Sequence, residues 1–395
     1  MRQNRHCLMP ANLHKNIHIG AFRNLVDFRL VDCGSVNILV GGNNSGKTSV
    51  LEALLLLSDP LRSSQWIDAT QLRRTWPLVD TMERQYRSPR LGAISWLFPR
   101  RESVLQPIRL ESTGFGPIES FSATLKTLVG EPPRTSVFNE SQFIEGFARY
   151  DSSLGPESGV ELNFEYVGDY FHPTLFDSEP RTFQLVLWEK GRETSRPGSQ
   201  PVVRVVFATP ISHRSDGYLA SRVSRLIHAK RKDQALELLR GLDANVTDLI
   251  IVAPERPEED SIASPRMGDI PELHVEYAGT GLVPIHSLGD GIRRAVHFAA
   301  LISELQDGGI LLIDEVEVGM HTSVLMKVFS WLSAACRAAK IQLFVTTHSL
   351  EAIDALIGSA PDNDIVLYRL NKKTVKRLQG KQLRSAREEF GQEIR

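Results

Sequence analysis

An α/β fold is predicted by three stretches of the chain. Residues 37–57, NILVGGNNSGKTSVLEALLLL, run an apolar strand into a glycine-rich loop and on into a leucine-rich helix. Residues 309–315, GILLIDE, are a second apolar strand, and they end in two acids. Through the last third of the chain, short apolar strands alternate with helices of roughly 10 to 15 residues, the pattern that builds a parallel sheet.

Taken in order, residues 16–40 read as two strands, NIHIGAFRNLVDFRLV and VNILV, with a polar turn between them. TSVLEALLLLS has helical length and composition. Residues 59–101 hold helical pieces broken by prolines, with Trp66, Trp76 and Trp96 among them. From 106 to 210, apolar and polar residues alternate in GVELNFEYV, TFQLVLWEKG and PVVRVVFATPI, which predicts an antiparallel sheet region. A helical pair follows, LASRVSRLIHAK and KDQALELLRGL, then short strands at DLIIVA and ELHVEYAG. Between those strands, PERPEEDSIASPRMGD is proline-rich and charged and reads as a surface loop. The closing third reads as helix GIRRAVHFAALISEL, strand GILLIDE, helix TSVLMKVFSWLSAACRAA, strand IQLFVTTH, helix SLEAIDALIG and strand DIVLYRL. The expected organisation is one domain over 1–395, split in sequence into a P-loop lobe with a helical segment (1–105), a β-rich region (106–210), a helical insertion with strands (211–280) and a closing lobe (281–395).

With 42% hydrophobic residues, the 395-residue chain can bury a substantial core. Its 46 basic and 47 acidic residues nearly cancel, so no global field marks a nucleic-acid or membrane-surface binder. Nucleic-acid binding would rest on local clusters: Arg84, Arg87, Arg90, Arg100 and Arg101 interleaved with Tyr86 and Trp96; Lys230, Arg231 and Lys232; or the tail from Lys372 to Arg387. A solvated face or a subunit contact is the plainer reading of each. Cys7, Cys33 and Cys336 are far apart and outside any CxxC, which suggests neither a disulfide framework nor a zinc site and fits a reducing compartment. With no secretory apolar region and no membrane-length apolar run read in the sequence, a cytoplasmic protein without a membrane partner is expected.

The chemistry begins at Gly41, Gly42, Asn43, Asn44, Ser45, Gly46, Lys47 and Thr48, which satisfy G-x-x-x-x-G-K-[ST] between a strand and a helix. Glycines let successive N–H groups converge on anionic oxygens, and the following helix offers its positive end. In such a P-loop, Lys47 reaches the β- and γ-phosphates and Thr48 holds Mg²⁺. The acids of GILLIDE match a Walker B strand, with Asp314 expected at the Mg²⁺ shell and Glu315 as general base toward water.

Three further pieces follow in order: HSLGDGIRRAV (286–296), EVGMH (317–321) and VTTHS, which carries His348. A signature loop, Walker B, D-loop and switch histidine in this order resemble the ABC-type ATPase heads of the SMC, RecF and OLD group. The resemblance implies that two heads face each other. Ser287, Gly289, Asp290 and Gly291 of one would then reach the γ-phosphate held by the other, and His348 would contact that phosphate from the same subunit as Lys47. Against the transporter signature LSGGQ, Leu288 falls at the serine position and Asp290 replaces a glycine, so backbone amides would do the binding.

More closely, the chain is similar to the stand-alone OLD/RecF-like AAA-group ATPases of prokaryotic anti-phage systems, such as the PARIS ATPase or the ATPase half of OLD-family nucleases. NIHIGAFRNLVDF, VGGNNSGKTSVLEAL, HSLGDGIRR through VTTHSLEAID, and REEFGQEIR carry that likeness. It implies an ABC-type head with a mixed P-loop sheet, an antiparallel β region and helical insertions. It also implies an ATPase using ATP and Mg²⁺, a homo-oligomer, and a separately encoded effector controlled by ATP-dependent association of heads. The alternative is a RecF-like DNA-binding ATPase in repair or DNA sensing. No nuclease is expected, since the D-x-D at 362–364 precedes a strand and reads as a turn. The Q-loop glutamine stays open among Gln65, Gln71, Gln85 and Gln106.

Overall fold

The computed structural model describes residues 13–71, 91–116, 118–130, 157–168, 179–189, 203–253, 271–371 and 374–388. At the amino terminus, the stretch expected as one strand is a hairpin of β1 (His14–Phe22) and β2 (Leu25–Leu30). Arg23, at φ 49°, makes the tight turn with Asn24, a reversal that apolar alternation on either side does not reveal. β3 (Val36–Val40) leads through the glycine loop into α1 (Lys47–Ser58), and α2 (Ser63–Gln71) follows. A 3₁₀ turn at Leu91–Leu97 and the small ribbon of β4 (Arg100–Arg101) and β5 (Val104–Leu105) precede the longer strands. These are β6 (Ile108–Gly114), β7 (Ile118–Gly130), β8 (Glu157–Gly168) and β9 (Arg181–Trp188). With the hairpin they form an antiparallel sheet in the order β2-β1-β6-β7-β8-β9.

β10 (Val205–Ala208) sits elsewhere than its sequence neighbours suggest: it pairs in parallel with β14 (Gly309–Ile313) instead of joining the antiparallel strands. Its alternation is that of any strand and carries no information about which sheet receives it. Between those two strands come α3 (Asp216–His228), α4 (Lys232–Leu242), a three-stranded antiparallel sheet of β11 (Val246–Val252), β12 (Glu272–Tyr277) and β13 (Gly281–Pro284), and α5 (Asp290–Glu304). After β14 the chain continues through α6 (Thr322–Ala338), β15 (Ile341–Thr346), α7 (Leu350–Ser359), β16 (Ile365–Leu370), β17 (Val375–Gln379) and α8 (Gly380–Glu388). The second six-stranded sheet runs β10-β14-β15-β3-β16-β17, parallel except at β17. The architecture is thus the α/β class expected, with mixed sheet, antiparallel region and helices. Residues 362–364 lie in the turn before β16, and among the described residues no helix is long and apolar enough to cross a membrane. Cys33 and Cys336 are buried free thiols.

Each parallel strand feeds two cores by its period of two. Ile38, Ile313, Leu343 and Leu367 face the core shared with α3 to α7, whereas Leu39, Leu312, Phe344 and Tyr368 face the core around α1. Helix α1 is buried on every side from Ser49 to Ser58, mostly through leucine, valine and alanine, which suits a helix wedged between two layers. Val50, Leu51 and Leu54 share a core with Ile310 and Phe344 of the parallel sheet and with Ile19, Leu110 and Phe121 of the antiparallel one. One buried charge pair pins the hairpin to this helix: Glu52, fully buried in α1, meets Arg23 Nε at 2.7 Å.

Truncating the centre of this wedge tests the packing. Leu54, fully buried, should cost about 2–5 kcal/mol when changed to alanine. Chemical denaturation of Leu54→Ala measures it, and a loss below about 1 kcal/mol would show that α1 is not held between the sheets.

Candidate active site

The glycine loop rises from the carboxyl end of β3, between β15 and β16. Two of its glycines are required by geometry. Gly41 has φ 145°, and a Cβ there would lie 2.3 Å from the Leu370 carbonyl oxygen. Gly46 has φ 96°, and its Cβ would meet Leu25 of the hairpin at 2.6 Å. Between them, Gly42, Asn43 and Asn44 are exposed and Asn44 adopts φ 60°. Gly46 caps α1 without a side-chain hydrogen bond, and the first turn carries no acid, so the N-terminal amides of α1 keep their positive end unneutralised. The Ser45 hydroxyl oxygen is buried with no hydrogen-bond partner among the described residues.

Lys47, only 7% exposed, folds over the loop and donates from Nζ to the carbonyls of Gly41 at 2.8 Å and Gly42 at 3.1 Å. Burial lowers its pKa, and the carboxylates of Asp314, Glu315 and Glu317 oppose that shift. Beside it, Thr48 Oγ1 donates to Asp314 Oδ2 at 3.0 Å. The two residues lie 266 positions apart, Thr48 in the first turn of α1 after β3 and Asp314 just past β14, and β15 lies between those two strands. The intervening strand supplies the bridge: Thr346 Oγ1 donates to Asp314 Oδ1 at 2.5 Å and accepts from the Glu315 backbone N–H at 2.8 Å.

Glu315 stands at φ 47°, the left-handed region that a side chain adopts only when its surroundings hold it there. Its N–H is taken by Thr346, and its carbonyl oxygen accepts from Arg294 Nη2 at 2.7 Å. Burial first, and then the neighbouring charges of Asp314 and Glu317, raise the Glu315 pKa. Arg294 itself is 1% exposed, points from α5 into this junction and also donates to the Pro210 carbonyl at 3.0 Å. Burial pushes its pKa down to about 10, which leaves it charged at neutral pH. Across the site, the backbone N–H of His348 donates to Glu317 Oε1 at 2.9 Å, while Glu317 Oε2 is buried without a hydrogen-bond partner among the described residues.

Ser287, Gly289, Asp290 and Gly291 form a separate group at the start of α5. Ser287 and Gly289 are exposed, and Gly289 caps the helix without a side-chain bond. Asp290 turns its carboxylate to Arg214 Nη2 at 2.5 Å, with Arg293 Nη1 at 3.9 Å. Although burial opposes its ionisation, the Arg214 hydrogen bond and the nearby His213 and Arg293 hold its carboxyl below the usual range. The loop is therefore partly exposed, and its one acid is matched by arginines of the same chain. Among the described residues, no hydrogen bond joins 287–291 to 41–48.

Lys47, Thr48, Asp314, Glu315 and His348 are thus gathered at the carboxyl ends of β3, β14 and β15, and the 287–291 loop is not among them. Gln65 and Gln106 make no hydrogen bond to these residues; the side chain of Gln71 and all of Gln85 lie outside the described residues, as do Arg84, Arg87 and Arg90. Sequence reasoning missed Thr346, Arg294 and Glu317. The first and last lie inside VTTHS and EVGMH, but nothing about their types marks them.

The bridge is open to test. Thr346→Val leaves the Glu315 N–H and one Asp314 oxygen without their partner, so stability should fall by about 1–3 kcal/mol, with Thr346→Ser close to wild type. Denaturant unfolding of both variants checks this, and equal stability of valine and serine would refute the bridge.

Comparison with known proteins gives a family. The model of the family described as "AAA domain, putative AbiEii toxin, Type IV TA system" matches residues 36–102 and 157–354. An uncharacterized protein of Methanocaldococcus jannaschii is 38% identical over 78 residues, 20% of this chain and 68% of that protein. The DNA replication and repair protein RecF of Shewanella frigidimarina is 49% identical over 41 residues, 10% of this chain and 11% of RecF. Among solved structures, the Smc head bound to the C-winged helix domain of ScpA aligns with TM-score 0.45 and 11% identity over 93% of this chain and 97% of that one. The RecF recombination mediator aligns with TM-score 0.40 and 13% identity over 92% and 98%. As the matched segments span well over half of its length and carry the glycine loop, the paired acids and His348, the chain belongs to this AAA-domain ATPase family.

Proposed function

We propose that the chain binds ATP with Mg²⁺ at the glycine loop, hydrolyses it, and acts as a molecular switch in which ATP-dependent association of two heads controls a separately encoded effector, in anti-phage defence. The observation that carries the ATPase reading is the bond from Thr48 Oγ1 to Asp314 Oδ2 at 3.0 Å, which puts a hydroxyl and a carboxylate suited to Mg²⁺ beside Lys47. The uncapped start of α1 and the glycine cradle fit a phosphate group. Bound Mg²⁺ would neutralise charge on the phosphate oxygens. Lys47 Nζ would leave the loop carbonyls for those oxygens, Glu315 would take a proton from water on its carboxylate, and His348, fixed through its N–H by Glu317, would face the same centre. The switch and effector rest on the resemblance of the motif set, supported by the exposure of Ser287 and Gly289 at the uncapped start of α5, where a second copy could reach them.

A second reading, a DNA-binding ATPase in repair or DNA sensing, has one surface feature in its favour. The Arg100 guanidinium lies 4.2 Å over the ring of Trp96, which is 63% exposed, an arrangement on which a nucleic-acid base stacks.

Lys47→Ala should abolish nucleotide binding, while Glu315→Gln should keep it and slow hydrolysis by roughly 10²-fold or more. Because the Glu315 pKa is raised, its base form is lost as pH falls at a pH above the ordinary glutamate value of 4.5, and the acid limb of turnover should lie there. Glu317→Gln removes one negative neighbour and should move that limb to lower pH. Normal turnover by Glu315→Gln would refute its assignment as the base.

Affinity purification of tagged Glu315→Gln from its host with ATP, with and without nuclease, separates the two readings. A stoichiometric protein that survives nuclease and is lost with Lys47→Ala supports the switch. Retained DNA without a protein partner supports the second reading and contradicts the first.

A further inference from the structure

At the opposite end of the parallel sheet from the glycine loop, the start of edge strand β10 opens into a cavity of about 430 Å³. Arg62, Arg204, Arg225 and Arg231 line it, with Gln65 and Glu304. Two of these four guanidiniums have acid partners and two do not, so the charges do not cancel. Arg62 pairs with the fully buried Asp59 at 3.0 Å. Glu304 is shared by two arginines, the largely buried Arg222 and, at 2.9 Å, Arg225. Arg204 and Arg231 instead donate from Nη1 to main-chain oxygens, of Glu304 at 3.2 Å and Ser303 at 2.7 Å. A carbonyl fixes the guanidinium plane but adds no negative charge. Among the described residues, neither Arg204 nor Arg231 forms an ion pair with a carboxylate. Even with Asp68 acting on Arg222 from α2, the arginines outnumber the acids around this cavity.

Each guanidinium has five N–H donors, so those spent on one carbonyl leave others directed elsewhere. Held forks of this kind match phosphate oxygens in geometry and charge. Val205 and Val206 add an apolar wall, and the volume lies within the range of small-molecule sites, roughly 300–1,000 Å³. The site is remote from the nucleotide loop: it lies at the amino end of β10, whereas the loop leaves the carboxyl end of β3 in the same parallel sheet.

We propose that this cavity binds a small phosphate-bearing ligand of nucleotide size, at a second anion site distinct from the P-loop. The inference goes beyond the ATPase reading and does not rest on it. Calorimetric titration of the full chain carrying Lys47→Ala, with AMP and with inorganic triphosphate at about 0.15 M salt, tests it. One ligand per chain is expected, with affinity falling roughly tenfold or more for each arginine lost in Arg204→Ser and in Arg204→Ser/Arg231→Ser. Tighter binding of AMP assigns a nucleotide, and tighter binding of triphosphate assigns a polyphosphate; either supports the site. Should the double variant not fold, Arg204→Ser alone, at an exposed side chain, gives the same reading. No binding of either ligand, or binding unchanged by these substitutions, overturns the proposal, and the behaviour of the P-loop in the wild-type chain has no bearing on that outcome.

Discussion

The site hangs on one buried hydroxyl. Thr346 lies at the end of β15, between the strand that enters the glycine loop and the strand that ends in the two acids, and its Oγ1 touches both Asp314 and the amide of Glu315. Because β15 separates β3 from β14, Thr48 and Asp314 meet only if all three strand ends stay level. Parallel pairing supplies that level, Ile313 opposite Val345 and Thr346 opposite Leu39. A shift of one residue would turn Thr346 to the other face of the sheet and break the contact between Thr48 and Asp314.

Wedging α1 between two sheets fixes the other half of the arrangement. The helix is buried on all sides, so it cannot rotate to move Lys47 and Thr48, and the hairpin that closes over Gly46 through Leu25 is tied to it by Arg23 and Glu52. Charge is opposed, though not cancelled, at short range. Three carboxylates, Asp314, Glu315 and Glu317, act on Lys47 and Arg294, and both cations are held by main-chain carbonyls. Arg294 reaches these carbonyls from α5, so the helix that begins in the 287–291 loop is bonded directly to the backbone of Glu315. Movement of α5 would be felt at the carbonyl that keeps Glu315 in its left-handed conformation.

Local patterns made much of this legible. The P-loop is eight consecutive residues whose glycines have no other economical reading, and GILLIDE declares both its strand and its acids within seven. The alternation of the last third predicted the parallel sheet for the same reason. What stayed hidden is non-local. Thr346 is one β-branched residue ending a β-branched strand, and its bridging position follows only from the strand order. Arg294 carries no mark in the sequence, since nothing there shows that three carbonyls converge on it. β10 could not be assigned to its sheet from alternation alone, and the turn at Arg23 split an expected strand because two polar residues suffice for a hairpin. Asp290, an odd acid in a glycine-bearing loop, makes physical sense only once Arg214, 76 residues away, is seen to hold it.

A crystal structure of the chain with Mg²⁺ and a non-hydrolysable ATP analogue tests the central claim most directly. The account predicts phosphates on the amides of 43–48, a metal ion between Thr48 and Asp314, and the 287–291 loop of a second copy over the terminal phosphate. A nucleotide bound away from Lys47, or a terminal phosphate covered by the 287–291 loop of the same chain, would contradict it.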